Sequence, residues 1–237
     1  MKGWHVLLIA GLTALPSGCF VLPQTDAIPF NMVPADSKPA LELPTAEAAK
    51  ACLATGETLE KQGHEKEALL EYQLARQHDP HLSNVTRRMA VLLGRQGDTE
   101  RARTEFQAAL QEQPRDADLW NDFGYFHYQL GENTDAEKAL RQALALNPAH
   151  KRAWVNLGKV LVQRGSYEES CEAFGHAVRP AQAAANVGIL LAKEGKFPEA
   201  RQVLHKALGL EPDLQAARAV LSQLEGETPP DVRLIVE

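Results

Sequence analysis

The chain has 237 residues, 44% of them hydrophobic and 24% charged, a composition that suits one or two soluble domains with a sizeable core. Its 31 acidic residues outnumber 25 dispersed basic ones, giving a net charge of -6. A nucleic-acid surface, which needs clustered Lys and Arg, is not expected from that pattern.

The chain opens with "MKGWHVLLIAGLTALPSGC": one positive charge at Lys2, an uncharged apolar run from Val6 to Leu15, and small residues before Cys19. Ten apolar residues are too few to span a bilayer, so residues 1–18 read as an export signal. The stretch "LPSGC" resembles the lipobox of bacterial lipoproteins, in which the Cys is acylated and becomes the new N-terminus. Ser17, Gly18 and Cys19 match it, whereas Leu15 stands one position early and Pro16 occupies a place usually aliphatic. The resemblance implies lipidation of Cys19; cleavage with release and an uncleaved anchor are the alternatives. Each of them places the remainder in an exported compartment.

Residues 19–48 carry Pro23, Pro29, Pro34, Pro39 and Pro44, spaced five or six apart. That spacing forbids a continuous helix and favours extended chain. At about 3.1 Å per residue the 26 residues that follow Cys19 could bridge about 80 Å, the reach of a spacer. Docking of its apolar positions Ile28, Phe30, Met32 and Val33 on the following domain is the other reading.

Pro80, Pro114 and Pro148 recur every 34 residues. In rows of that length starting at Ala49, the fifteenth column is Gly63, Gly97, Gly131, Gly165 and Gly195. The eighth column is Gly56, Ala90, Gly124, Gly158 and Gly188, and the twenty-fourth is Tyr72, Phe106, Leu140, Phe174 and Leu204. Each row describes two helices. Apolar positions early in the row share one face of a first helix, the glycine ends it in a left-handed turn, and columns 20, 24 and 27 share one face of a second. Proline in column 32 stops that second helix.

The rows resemble tetratricopeptide repeats, most closely in "LWNDFGYFHYQLGENTDAEKALRQALALNP" and "AWVNLGKVLVQRGSYEESCEAFGHAV". The resemblance implies an all-α, right-handed superhelical solenoid of about five helical hairpins, at 49–82, 83–116, 117–150, 151–180 and 181–214. The fourth row is four residues short because Pro180 arrives early. Residues 215–225 form an amphipathic helix able to cap the last apolar face, followed by a tail at 226–237.

No catalytic constellation emerges, so a non-enzymatic protein is expected. His78 and His81 flank a proline at a repeat junction, not one helix face, and the sequence holds no phosphate loop, nucleophile elbow or paired-cysteine motif. No cofactor, metal or small-molecule substrate is expected. Cys52 and Cys171 fall in repeats one and four, too far apart for a disulfide. A carbohydrate- or cell-wall-processing enzyme is disfavoured because no paired acids fall on one face.

In this family a concave groove is lined by columns 2, 5, 9, 12 and 13 of the first helices. Carried onto this chain, those columns give Asn84, Arg87, Val91 and Arg95 in repeat two and Asp118, Asn121, Tyr125, Tyr128 and Gln129 in repeat three. In repeat four they give Arg152, Val155, Lys159, Val162 and Gln163. Two exposed tyrosines, Tyr125 and Tyr128, flanked by Arg87, Arg95, Arg152 and Lys159, form the expected protein-binding patch, with packing of the rings on neighbouring helices as the alternative. The sixth column reads Arg88, Asp122 and Asn156, which does not match the family's clamp for acidic C-terminal tails. The rest of the stretch "WNDFGYFHY", namely Trp120, Phe123, Phe126 and His127, is expected in the core. The layout of signal, Cys19, spacer and repeats resembles pilotin-like tetratricopeptide lipoproteins. It implies a membrane-anchored scaffold that recruits proteins for an envelope assembly, or an exported assembly chaperone.

Overall fold

The computed structural model describes residues 45–82 and 84–226. The signal-like segment, Cys19, the proline-spaced stretch to residue 44 and the tail from residue 227 lie outside the described residues. Every described element is a helix. In chain order they are α1 (Thr45–Lys61), α2 (Glu65–His78), α3 (Val85–Arg95), α4 (Thr99–Glu112), α5 (Ala117–Gln129), α6 (Asn133–Leu146), α7 (Lys151–Gln163), α8 (Tyr167–Gly175), α9 (Pro180–Lys193), α10 (Phe197–Leu210) and α11 (Gln215–Leu224). The fold is an all-α solenoid of helical hairpins. None of these helices is long and apolar enough to cross a membrane.

The repeat columns explain how each hairpin is made. The five glycines of the fifteenth column all adopt positive φ, between 74° and 82°, where a side chain would clash with the backbone. At Gly131 the turn satisfies carbonyls that the end of α5 leaves open: Gly131 N–H donates to Tyr128 C=O at 3.0 Å and Glu132 N–H to His127 C=O at 3.0 Å. Helices α2, α4, α6 and α10 end two residues before their proline. The residue between has left the helical region in each case: Asp79, Asn147 and Glu211 are extended, with φ of -143°, -139° and -140°, and Gln113 has φ -130° and ψ 65°. Two of these prolines accept from the next hairpin: Trp120 Nε1 donates to Pro114 C=O at 2.9 Å and Trp154 Nε1 to Pro148 C=O at 2.8 Å.

Within a hairpin the eighth column meets the twenty-fourth. A methyl group at Gly158 would stand 2.7 Å from a ring carbon of the fully buried Phe174, so only a bare backbone lets these two helices approach so closely. Burial of such a ring stabilises the hairpin by about 1.5–3 kcal/mol. Between hairpins, the successive first helices α3, α5, α7 and α9 touch one another, while second helices do so at most marginally. The first helices therefore form the shorter, inner layer.

The shortened fourth row removes helix from one place. Helix α8 has 9 residues where α2, α4, α6 and α10 have 14, and Pro180 opens α9, its fixed φ suiting the first helical turn. Ser170, in a column otherwise filled by Ala, donates to Gly158 C=O at 2.7 Å and ties the short α8 to α7. Helix α11 buries Ala217, Val220 and Leu221 against the last hairpin. His127, where other rows have Leu, is buried with its ring edge on Phe123, and its Nδ1 contacts the carboxylate of Glu132. Cys52 and Cys171 are free thiols, each partly buried against a different apolar cluster.

Candidate functional site

Helices α3, α5 and α7 enclose a trough of about 390 Å³ on the inner layer. Of the groove residues expected from the sequence, Val91, Arg95, Asn121, Tyr125, Arg152 and Lys159 line it, together with Gln129. Arg87 lines an adjoining depression of about 310 Å³ that shares Val91, Arg95 and Arg152. The floor is apolar, made by Phe106 of α4 and Phe126 of α5.

Several expected residues have a different role. Tyr125 is 37% exposed, but Tyr128 is half-buried and packs, with Trp120 and Trp154, against the cluster that contains Leu140, Leu144 and Leu157, so the patch has one exposed tyrosine. The two rings stack at 5.9 Å between centroids, and burial, then Tyr125 and Glu194, raises the Tyr128 hydroxyl above its ordinary range. Val155 and Val162 are buried in the cluster with Val187 and Leu191, because α9 packs over that side of α7. Asn121 is only 2% exposed and works inside the wall.

Asn121 belongs to a relay across three helices. Arg87 donates to Asp122 Oδ2 through Nε at 2.8 Å and lies 2.7 Å from it through Nη2. Asn121 Nδ2 donates to Asp122 Oδ1 at 3.1 Å, Asn156 Nδ2 to Asn121 Oδ1 at 2.9 Å, and Lys159 Nζ to Asn156 Oδ1 at 3.2 Å. Its direction is set at both ends, since an ionised carboxylate can only accept and an ammonium can only donate. Asp122 and Asn156 stand in the sixth column, one turn from the groove columns, and their pairing across repeats had no signal within a single row. Gly94 did have one: it puts a glycine in a groove column. A side chain there would begin 3.2 Å from the Phe126 ring, so the glycine opens the floor.

The arginines of the trough are already neutralised. Arg95 lies 3.4 Å from Glu60 and 3.3 Å from Glu65, and Arg152 lies 2.8 Å from Asp118 and 3.8 Å from Asp122. Burial opposes ionisation of Asp118, but Arg87, Arg152 and His150 outweigh it and hold the carboxyl below its ordinary range. Arg88 is engaged with Glu57 at 2.7 Å and Glu60 at 3.0 Å. Among the described residues, no group of three or more His, Cys, Asp or Glu side chains could hold a metal ion.

A family model described as the C-terminal domain of cilia and flagella-associated protein 70, a tetratricopeptide-repeat domain, matches residues 31–228. The chain belongs to this tetratricopeptide-repeat family. Solved tetratricopeptide structures share the fold. Pseudomonas aeruginosa PilF is 24% identical, with a TM-score of 0.58 over 76% of this chain and 84% of that one. YrrB, described as a tetratricopeptide protein with an unusual peptide-binding site, is 22% identical, with a TM-score of 0.54 over 72% of this chain and 90% of its own. A thermophilic tetratricopeptide protein of Thermus thermophilus is 17% identical, with a TM-score of 0.56 over 75% of this chain and 98% of its own. No curated protein matches the chain. The tetratricopeptide fold is a protein-interaction scaffold, and the trough lies on its inner face.

Proposed function

We propose that this tetratricopeptide protein is exported, anchored to a membrane through acylated Cys19, and holds partner proteins in the α3–α5–α7 trough during assembly of an envelope complex. The observation that carries the reading is the trough itself: an exposed Tyr125 over an apolar floor, walled by charged side chains that an internal relay holds in place. Tyr and Arg dominate interface energy because they combine large contact area with directed hydrogen bonding. Support for the location comes from the apolar run, "LPSGC" and the proline-spaced stretch, which would lend the repeats reach from a membrane surface. The peptide-binding site named for YrrB supports peptide capture by this kind of scaffold.

Cross-linked pull-down from membranes tests both halves. Cys19→Ser should move the protein from the membrane to the soluble fraction; unchanged fractionation removes the anchor from the proposal. Replacing Tyr125 and Tyr128 by Ala should abolish partner recovery at unchanged helicity. Full recovery would show that the trough is not the site.

A further inference from the structure

Lys159 differs from the other cations of the trough. Arg87, Arg95 and Arg152 each have carboxylate partners, whereas among the described residues Lys159 has none. Its ammonium donates to the amide oxygen of Asn156 at 3.2 Å and sits 5.3 Å from the centre of the Tyr125 ring. One neutral acceptor and one π-face leave part of a three-donor group unspent. Lys159 is also partly withdrawn from water, and that burial lowers its pKa from the ordinary lysine range. A cation so placed gains more from an incoming anion than a fully solvated one does. Next to it the floor of Phe126, opened by Gly94, has room for an apolar side chain.

Resting on the reading of the trough as a partner site, we infer that its occupant is an extended peptide segment with one carboxylate side chain and one aliphatic or aromatic side chain two residues apart. Alternate residues of an extended strand point to the same side, about 6.5–7 Å apart, so both can enter one trough. The carboxylate meets Lys159 Nζ and the apolar group rests on Phe126 beside Tyr125. A polyacidic tract is not what the site selects, because every trough arginine already has its acid.

Selection of random dodecapeptides displayed on phage against the full chain tests this. Enriched peptides should carry Asp or Glu two positions from an aliphatic or aromatic residue. A synthetic enriched peptide should bind Lys159→Met at least about tenfold more weakly, the worth of one charge-assisted hydrogen bond. Changing its Glu to Gln should cost about the same on the unaltered chain and nothing further on Lys159→Met. Lys138→Met, on the exposed face of α6, should leave affinity within about twofold. The Glu-to-Gln comparison on the unaltered chain stands whatever the folding of the variant. Acid-free peptides whose binding is lost in Tyr125→Ala would overturn the carboxylate and keep the trough as a binding face. Failure to enrich any peptide, or peptides indifferent to both Tyr125→Ala and Lys159→Met, would overturn both readings.

Discussion

The Asn121–Asn156 bond is the buried polar tie between hairpins three and four, and its removal has a calculable cost. Asn121 is 2% and Asn156 9% exposed, with Nδ2 of the second donating to Oδ1 of the first at 2.9 Å. Asn121→Ala leaves the Asn156 amide with a buried donor and no acceptor, whereas Asp122 keeps Arg87. An orphaned buried polar group costs about 1–3 kcal/mol, well above the net worth of about 1 kcal/mol for a made hydrogen bond. Asn156→Ala should cost a similar amount, since it orphans the Asn121 oxygen. The double variant removes both orphans, so its loss should fall short of the sum by about 0.5–1.5 kcal/mol. For a unit of this size each kcal/mol lowers Tm by about 2–4 °C. Urea unfolding followed by tryptophan fluorescence is the suitable assay, because Trp120 and Trp154 stand in α5 and α7 on either side of the bond. Strictly additive losses, or a single variant losing less than about 0.5 kcal/mol, would refute the account.

Two further outcomes test the fold. Gly131→Ala should lose about 1–2 kcal/mol by thermal unfolding, because φ is 74° and no neighbouring atom crowds the new methyl group, so the cost is backbone conformation alone. Gly175→Ala, in α8 at ordinary φ and equally uncrowded, should instead gain up to about 1 kcal/mol; equal effects at the two sites would remove the backbone explanation. The carboxyl of Glu132 is held below its ordinary range by hydrogen bonds from Arg103 and then His127. A depressed folded-state pKa contributes stability above the unfolded value that is lost as pH falls through the folded one. Glu132→Gln should therefore lower Tm at pH 7, with the gap to the unaltered chain closing toward pH 3; a gap that persists there contradicts the ionic role.

The periodic part of the fold was legible because its causes lie in backbone chemistry. Glycine at positive φ and extended chain before proline act within a few residues, so the columns of Gly131 and Pro148 reported their turns directly. The eighth column was legible for a related reason, since only a small residue fits under Phe174 or Leu140. The electrostatics of the trough were not. Asp122 and Asn156 take their meaning from partners about 35 residues away on another helix, and nothing in one row indicates that pairing. Tyr128 and Tyr125 both occupy groove columns, yet packing against the next hairpin half-buries the first and leaves the second exposed. The same applies to Val155 and Val162, whose surroundings are supplied by α9 of the next repeat.

The covering of those valines also sets a length. The trough's lining comes from α3 to α7, and where it would continue along α7 the valines are already sealed beneath α9. With helix axes about 8–10 Å apart, three first helices span about 25–30 Å including their own width. An extended chain advances about 3.3 Å per residue, so a partner held as proposed would lay about seven to nine residues along it. The hairpin that begins with α9, by covering those valines, thus acts as a ruler for any chain laid along the trough.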